Sequence, residues 1–297
     1  MSSRFDSRVK RFFALRRKFL WFDLFLPVAL GLSFFAFTLL YGEPVSVRVL
    51  RVAADPNNLP FSNNRGEGFE NKIAELLARD LNAQLQYDWH AQRRGFFRET
   101  LKTGDSDIAL GAPEHFELAA TTQPYYRSTY VFVSREDRDL NIHSLDDPRL
   151  RSLKIGVPIA GDVGGNPPPI QALASRGILT NIVAFNLYGD YAQPNPPAEI
   201  IDAVAVDKVD VAIVWGPVAG YFAGRQPVPL HIVPVSPDMD NGNPMTYSIS
   251  IAVKRNESEL RDRINEFLNT RQVEIQKILA DYHLPQTGAG QGAAGKK

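Results

Sequence analysis

The 297-residue sequence contains no cysteine. That absence excludes disulfides, thiolate metal sites, iron–sulfur clusters, cysteine nucleophiles and lipid anchoring through Cys. Net charge is absent as well, with 33 basic side chains against 33 acidic ones. Without an excess of positive charge the chain lacks the footprint of a general nucleic-acid binder. Histidine is sparse, and His90, His115, His143, His231 and His283 show no metal-ligand spacing. Neither a G-x-S-x-G nucleophile elbow nor a phosphate loop ending in Gly-Lys-Ser/Thr is present. Apolar side chains are not scarce. At 44% hydrophobic and 10% aromatic residues, the chain is not disordered as a whole and has enough apolar surface for one large domain or two ordinary lobes.

The zero net charge hides a split. Residues 1–20 carry seven basic side chains and one acidic, a net +6, and the remaining 277 residues carry 26 basic and 32 acidic, a net −6. Behind the basic end, Leu24–Tyr41 is an uncharged run of 18 residues, about the minimum for a membrane-spanning helix. Trp21, Phe22 and Tyr41 sit at its ends, as interfacial aromatics do, and Pro27 falls in its first turn. The exit Thr38–Pro44 has no A-x-A cleavage pattern, which favours an uncleaved anchor over residues 21–41 rather than a cleaved signal peptide. The basic tail, residues 1–20, then stays in the cytoplasm and the body lies outside the inner membrane. Arg16-Arg17-Lys18-Phe19-Leu20 also resembles a twin-arginine export signal, a pattern common by chance in basic tails.

Beyond Gly42, strands alternate with amphipathic helices. Val47–Ala54 reads as a strand, followed by a loop rich in Asp, Asn and Pro (55–64). Phe69, Ile73, Leu76, Leu77 and Leu81 recur at helical spacing. Strands are expected at 85–89 and 107–111, with a short helix from Phe96 to Gly104 between them. A second unit starts near Lys154, with strands at 154–157, 183–185 and 211–214 and helices at 170–177 and 198–208. Asn166 and Asn195 each precede prolines ahead of those helices and are expected to cap them. The chain returns through the alternating strand 247–253, and Asn256 with Glu259 forms an expected capping box for a long C-terminal helical region. Residues 286–297 show no pattern and read as a flexible tail. Strand–helix repetition of this kind predicts mainly parallel sheet covered by helices.

With Thr-Gln-Pro-Tyr-Tyr (122–126) leading into a crossover strand at 130–134, this order resembles the type II periplasmic solute-binding proteins. The resemblance implies an α/β, bilobed fold whose two lobes are joined by a two-strand hinge, here after an N-terminal transmembrane helix. Lobe 1 would comprise residues 48–134 plus 246–285, and lobe 2 residues 135–245. More narrowly, ADPNNLPFSN (54–63), GEGFENKIAELLARDL (66–81), QRRGFFRETLKTGDSDIALGAP (92–113), PYYRSTYVFVSR (124–135), SLDDPRL (144–150), YGDYAQPNPPAEI (188–200) and VDVAIVWGPVAGYFAG (209–224) are similar to the J proteins of bacterial methanol-oxidation gene clusters. These are solute-binding-like proteins associated with quinoprotein alcohol dehydrogenases. The chain departs from that family in its anchor-like segment and in Ala54, where many relatives carry Cys.

The fold places ligand contacts at strand ends facing the interlobe cleft. Asp55, Asn57, Asn58 and Phe61 follow the first strand, and Arg93 and Arg94 precede the second helix. Tyr125, Tyr126 and Arg127 open the crossover, while Asp162, Asp190, Tyr191 and Trp215 follow strands of the second unit. Each has a plainer role open to it: turn formation for the Asp and Asn residues, solvation for the arginines, hinge packing for the tyrosines and cleft filling for Trp215. Amino-acid receptors of this fold hold a carboxylate with an Arg about ten residues before the Pro-Tyr tyrosine, and an ammonium with an acid after the last lobe-two strand. The matching positions here are His115 and Trp215, so a free α-amino acid is not the expected ligand. The resemblance implies instead a non-enzymatic periplasmic accessory protein that assists maturation or activation of a PQQ-dependent alcohol (methanol) dehydrogenase. Its partners would be that dehydrogenase with its cytochrome c, and PQQ and metal would belong to the partner. The alternatives are an importer's receptor for a small non-amino-acid solute and, less favoured, a hydro-lyase on the same fold.

Overall fold

The computed structural model describes residues 48–160 and 165–285. The expected anchor at 21–41, the tail at 286–297 and Asp162 lie outside the described residues. Among the described residues, no helix is long and apolar enough to cross a membrane.

The first strand, β1 (Val49–Ala54), is followed by a small hairpin of two-residue strands, β2 (Asn57–Asn58) with β3 (Ser62–Asn63). Helix α1 (Phe69–Asp80) follows, turning Phe69, Ile73, Ala74, Leu77 and Ala78 inward. Its start depends on Gly68. The amide groups of Phe69 and Glu70 donate to the carbonyls of Pro60 and Phe61 at 2.8 and 2.9 Å, which satisfies donors a helix start otherwise leaves free. A Cβ on Gly68 would collide with the Phe61 carbonyl. Next come β4 (Gln84–Trp89), the short helix α2 (Phe96–Thr100), β5 (Ile108–Pro113) and β6 (Ala120–Thr121). Strand β1 runs parallel to both β4 and β5.

Strand β7 (Tyr126–Arg135) is the crossover, longer than the expected 130–134. The second unit comprises β8 (Ile155–Ile159), α3 (Pro168–Ser175), β9 (Ile182–Asn186), α4 (Glu199–Ala205), β10 (Val211–Trp215), α5 (Gly216–Ala223) and β11 (Leu230–Pro234). A small hairpin, β12 (Met239–Asp240) with β13 (Asn243–Pro244), precedes the return strand β14 (Thr246–Val253). The C-terminal helical region is two helices, α6 (Ser258–Thr270) and α7 (Gln272–Asp281), broken at Arg271.

Hydrogen bonding runs in the order β4-β1-β5-β14-β7-β10-β8-β9. Strand β7 joins the two halves along its own length. Tyr126–Thr129 pair with β14, Tyr130–Ser134 with β10, and Val131–Arg135 with β11. Helices cover both faces. Ile73, Leu77, Ile108, Ile251, Phe267 and Leu279 centre the core of the first half. In the second half, Val131, Ile201, Val204 and Ala219 fill one face of the sheet, and Leu145, Leu150, Leu173 and Ile213 the other. This is the mixed α/β fold of type II periplasmic binding proteins.

Three expected caps do not form. Asn166 uses its side-chain oxygen to accept from the Ala160 amide at 3.3 Å, and Pro167 takes the N-cap of α3. Asn195 adopts a left-handed backbone, φ 51°, and makes no side-chain cap. Helix α6 begins one residue late for the Asn256–Glu259 box, with Glu257 at its N-cap and no capping side chain. The prolines remain in the first turn before α3 and before α4, where a missing N–H costs nothing.

Candidate functional site

The C-terminal ends of the parallel strands β1, β4 and β5 lie along one edge of the sheet, which is where open α/β sheets place ligands. Asp55, the residue after β1, is 2% exposed. Its Oδ1 accepts from the Asn57 amide at 2.8 Å, and its Oδ2 accepts from the Gln92 amide at 2.6 Å and from the Tyr191 hydroxyl. The first bond is local turn chemistry, and the second ties the end of β1 to the segment that follows β4. The third comes from 136 residues away, out of the segment that follows β9. Burial, reinforced by the hydrogen bond to Asp55, raises the Tyr191 pKa. Tyr191 therefore remains a phenol and keeps its proton for donation at neutral pH. The Arg93 guanidinium lies 4.9 Å from the centre of the Tyr191 ring.

The neighbouring residues join the same contact. Asn57 Nδ2 donates to the Gln193 carbonyl at 2.9 Å, and its Oδ1 accepts from the Asn195 amide at 3.3 Å. Asn58 Nδ2 donates to Gln92 Oε1 at 2.9 Å. Leu59, at the tip of the same loop, is buried among Val131, Ile200 and Val204, in the core of the second half. Phe61 packs on Phe69 at 5.5 Å and touches the cores of both halves. Loop 55–64 thus reaches from the end of β1 into the other half of the molecule.

Behind Asp55 lies a residue that the sequence does not single out. Glu70, in the first turn of α1, is buried and accepts from the Tyr125 hydroxyl at 3.0 Å. Tyr125 in turn accepts from the Gly111 amide at 3.3 Å. Burial raises the Glu70 pKa to about 7, the Tyr125 hydrogen bond opposes that shift, and the nearby Asp55 charge adds to it. Gly111 has φ +77°, and a Cβ there would press on Glu70 Oε1 at 3.0 Å. A Glu in a helix's first turn normally reads as a partner for the helix dipole, which is why the pattern conceals it. Only its burial in the folded protein distinguishes it.

Aromatic rings cluster around Phe69 and Trp215. Tyr126 meets Phe69 edge-on at 5.7 Å, and Trp215 meets Tyr130 at 5.3 Å and Tyr247 at 5.9 Å. A cavity of about 80 Å³ remains beside Trp215, lined by Tyr130, Phe185, Leu187, Pro196 and Val218 among others. Small-molecule sites usually enclose ~300 Å³ or more.

The structure therefore brings Asp55, Asn57, Asn58, Phe61, Arg93 and Tyr191 into one contact, with Tyr125, Tyr126 and Trp215 beneath it. Arg94 and Asp190 do not join them. Arg94 is exposed, and Asp190 Oδ1 accepts from the Ala192 amide at 2.9 Å, an ordinary turn. Arg127 is exposed on β7. His115 also points to solvent, with a side chain 91% exposed. Among the described residues, no three His, Asp or Glu side chains form a group that could hold a metal ion.

A family model for bacterial extracellular solute-binding proteins, family 3, matches residues 50–285. The chain is 27% identical to Protein MoxJ of Methylorubrum extorquens AM1 over 248 residues, covering 80% of this chain and 81% of MoxJ. It also superposes on the crystal structure of the periplasmic binding protein XoxJ from Methylobacterium extorquens AM1, at 36% identity and a TM-score of 0.66. That match covers 81% of this chain and all of XoxJ. The crystal structure of MxaJ from Methlophaga aminisulfidivorans MPT matches at 25% identity and a TM-score of 0.70, over 80% of this chain and all of MxaJ.

Proposed function

The chain belongs to family 3 of the bacterial extracellular solute-binding proteins, and from that premise we propose that it has left solute transport for an accessory role. In this reading it is a periplasmic protein that binds a PQQ-dependent alcohol dehydrogenase of the methanol type and assists its maturation or activation. It does no chemistry of its own. PQQ and the catalytic metal belong to the dehydrogenase, whose cytochrome c is a further partner. The body, with lobe 1 as residues 48–134 plus 246–285 and lobe 2 as residues 135–245, is held at the inner membrane by residues 21–41.

The observation that carries this reading is the bridging of the two halves, where this fold places its cargo, by the protein's own side chains. Tyr191 takes the Asp55 carboxylate and Leu59 enters the opposite core. A transport receptor needs that space for its cargo. Likeness to MoxJ, XoxJ and MxaJ supports the choice of partner. The test is capture from periplasmic extract with the tagged body as bait. Recovery of a quinoprotein dehydrogenase, identified by mass spectrometry and its bound PQQ, supports the proposal. An importer permease with no dehydrogenase contradicts it.

A second reading starts from the cavity beside Trp215, which would have to widen as the halves open: an importer's receptor for a small non-amino-acid solute. It predicts a clear rise in melting temperature at micromolar solute, whereas the accessory reading predicts none across a broad panel.

A further inference from the structure

Loop 55–64 and segment 188–195 belong to different halves of the molecule, and they meet through several independent contacts. The Tyr191 hydroxyl donates to Asp55, and the Arg93 guanidinium covers the same tyrosine ring. Asn57 bonds the backbone of Gln193 and of Asn195 at once. Leu59 adds buried apolar surface to the far core. The receiving segment is itself braced, because Gly189, with φ +66°, lets Pro196 pack where a Cβ would clash.

A second tie lies elsewhere. Helix α7 packs on α1 in the first half, and the residues after it, 282–285, lie along α5 in the second. Gly216, Gly220 and Gly224 present the face that receives them, and a Cβ at Gly220 would collide with the His283 carbonyl. The Tyr282 ring stacks on Tyr221 at 5.6 Å, and Ser128 Oγ donates to the Pro285 carbonyl at 3.1 Å.

We propose that the loop clasp acts as a tethered internal ligand: Tyr191, seated on Asp55 and flanked by Asn57 and Leu59, holds the two halves closed with no bound solute. In ordinary receptors of this fold, closure is driven by cargo that bridges the lobes, and the open state is populated without it. Here the bridging groups are covalently part of the chain, so their effective concentration is fixed and high. The C-terminal tie limits the same motion from another side. On the accessory reading, on which this step rests, a partner segment reaches Asp55 only by displacing Tyr191, so that docking and opening are coupled.

The absence of cysteine makes the test direct. Two spin labels are placed on exposed positions, Arg98→Cys in the first half and Val206→Cys in the second, and the distance between them is measured by pulsed electron paramagnetic resonance on the purified full-length protein without added solute. The proposal predicts one narrow distance distribution. Adding Tyr191→Phe with Asn57→Ala is expected to broaden it towards longer distances, and to speed amide exchange at Asn195 severalfold. If the double variant does not fold, Tyr191→Phe alone, which removes one oxygen atom, is read in the same way. A broad distribution in the parent, or an unchanged narrow one in the folded variant, overturns the clasp. Neither result depends on a dehydrogenase, so failure here is distinguishable from failure of the functional reading, which rests on capture of the partner.

Discussion

At the scale of single residues, Glu70 carries the most distinct physical signature. Its pKa in the fold, about 7, lies above the ordinary carboxyl value of 4.5. A raised pKa means the folded state binds the proton more tightly. The stabilisation is therefore complete below about pH 4.5, falls as pH rises, and is gone above about pH 7. A shift of this size corresponds to roughly 3 kcal/mol between the two limits. The melting temperature should fall between pH 5 and pH 8, and Glu70→Gln should flatten that part of the curve. An equal slope in both proteins would show that Glu70 is not the group responsible. Gly220 offers a test of opposite sign to intuition. In an open helix, Gly→Ala stabilises by about 1 kcal/mol. Here the added methyl meets the His283 carbonyl, so Gly220→Ala should destabilise by about 1–3 kcal/mol as residues 282–285 are forced off α5. Urea denaturation decides between the two signs. Phe69 is fully buried and touches Phe61, Tyr126 and Tyr282. Phe69→Ala should cost about 3–5 kcal/mol in the same assay.

At the scale of elements, much is legible in the chain. Helix α1 announces itself through Ile73, Leu77 and their neighbours, because a single apolar stripe at 3.6-residue spacing fits a half-buried helix and no strand. Strands β1, β5, β10 and β14 are readable as short apolar or alternating runs. Strand β11 is not, because Leu230–Pro234 is only partly buried and ends in Pro, both features of loops. Helix caps mislead for a common reason. Asn before Pro marks a helix start by statistics, whereas the side chain follows whichever donor is nearest, and for Asn166 that donor is the Ala160 amide. The same point yields a prediction. A functioning N-cap replaced by Ala costs about 1 kcal/mol, but Asn256 is exposed and caps nothing. Asn256→Ala should therefore change unfolding free energy by less than about 0.5 kcal/mol. A loss near 1 kcal/mol would restore the capping box. Asp55 and Tyr191 are each visible as strand-end candidates, but their pairing is not. Nothing local links residues 136 positions apart, and only the tertiary fold decides which loops face one another.

At the scale of the whole molecule, the neutral chain divides into a basic N-terminal stretch and an acidic remainder. Within that remainder, two α/β halves are joined through strand β7, a geometry that suits hinge motion. The contacts at Tyr191 and along 282–285 oppose that motion. A receptor adapted to release its cargo would gain nothing from closing on itself. An accessory protein gains a resting state that opens only for a partner able to compete. The accessory role turns on that partner being a quinoprotein dehydrogenase. The decisive measurement is binding of the purified body to the purified PQQ-dependent dehydrogenase of the same cell, by sedimentation or calorimetry, beside a melting-temperature screen against small solutes. A defined complex with the dehydrogenase and no solute response is the expected outcome. No complex, together with a solute that raises the melting temperature at micromolar concentration, would overturn the accessory role.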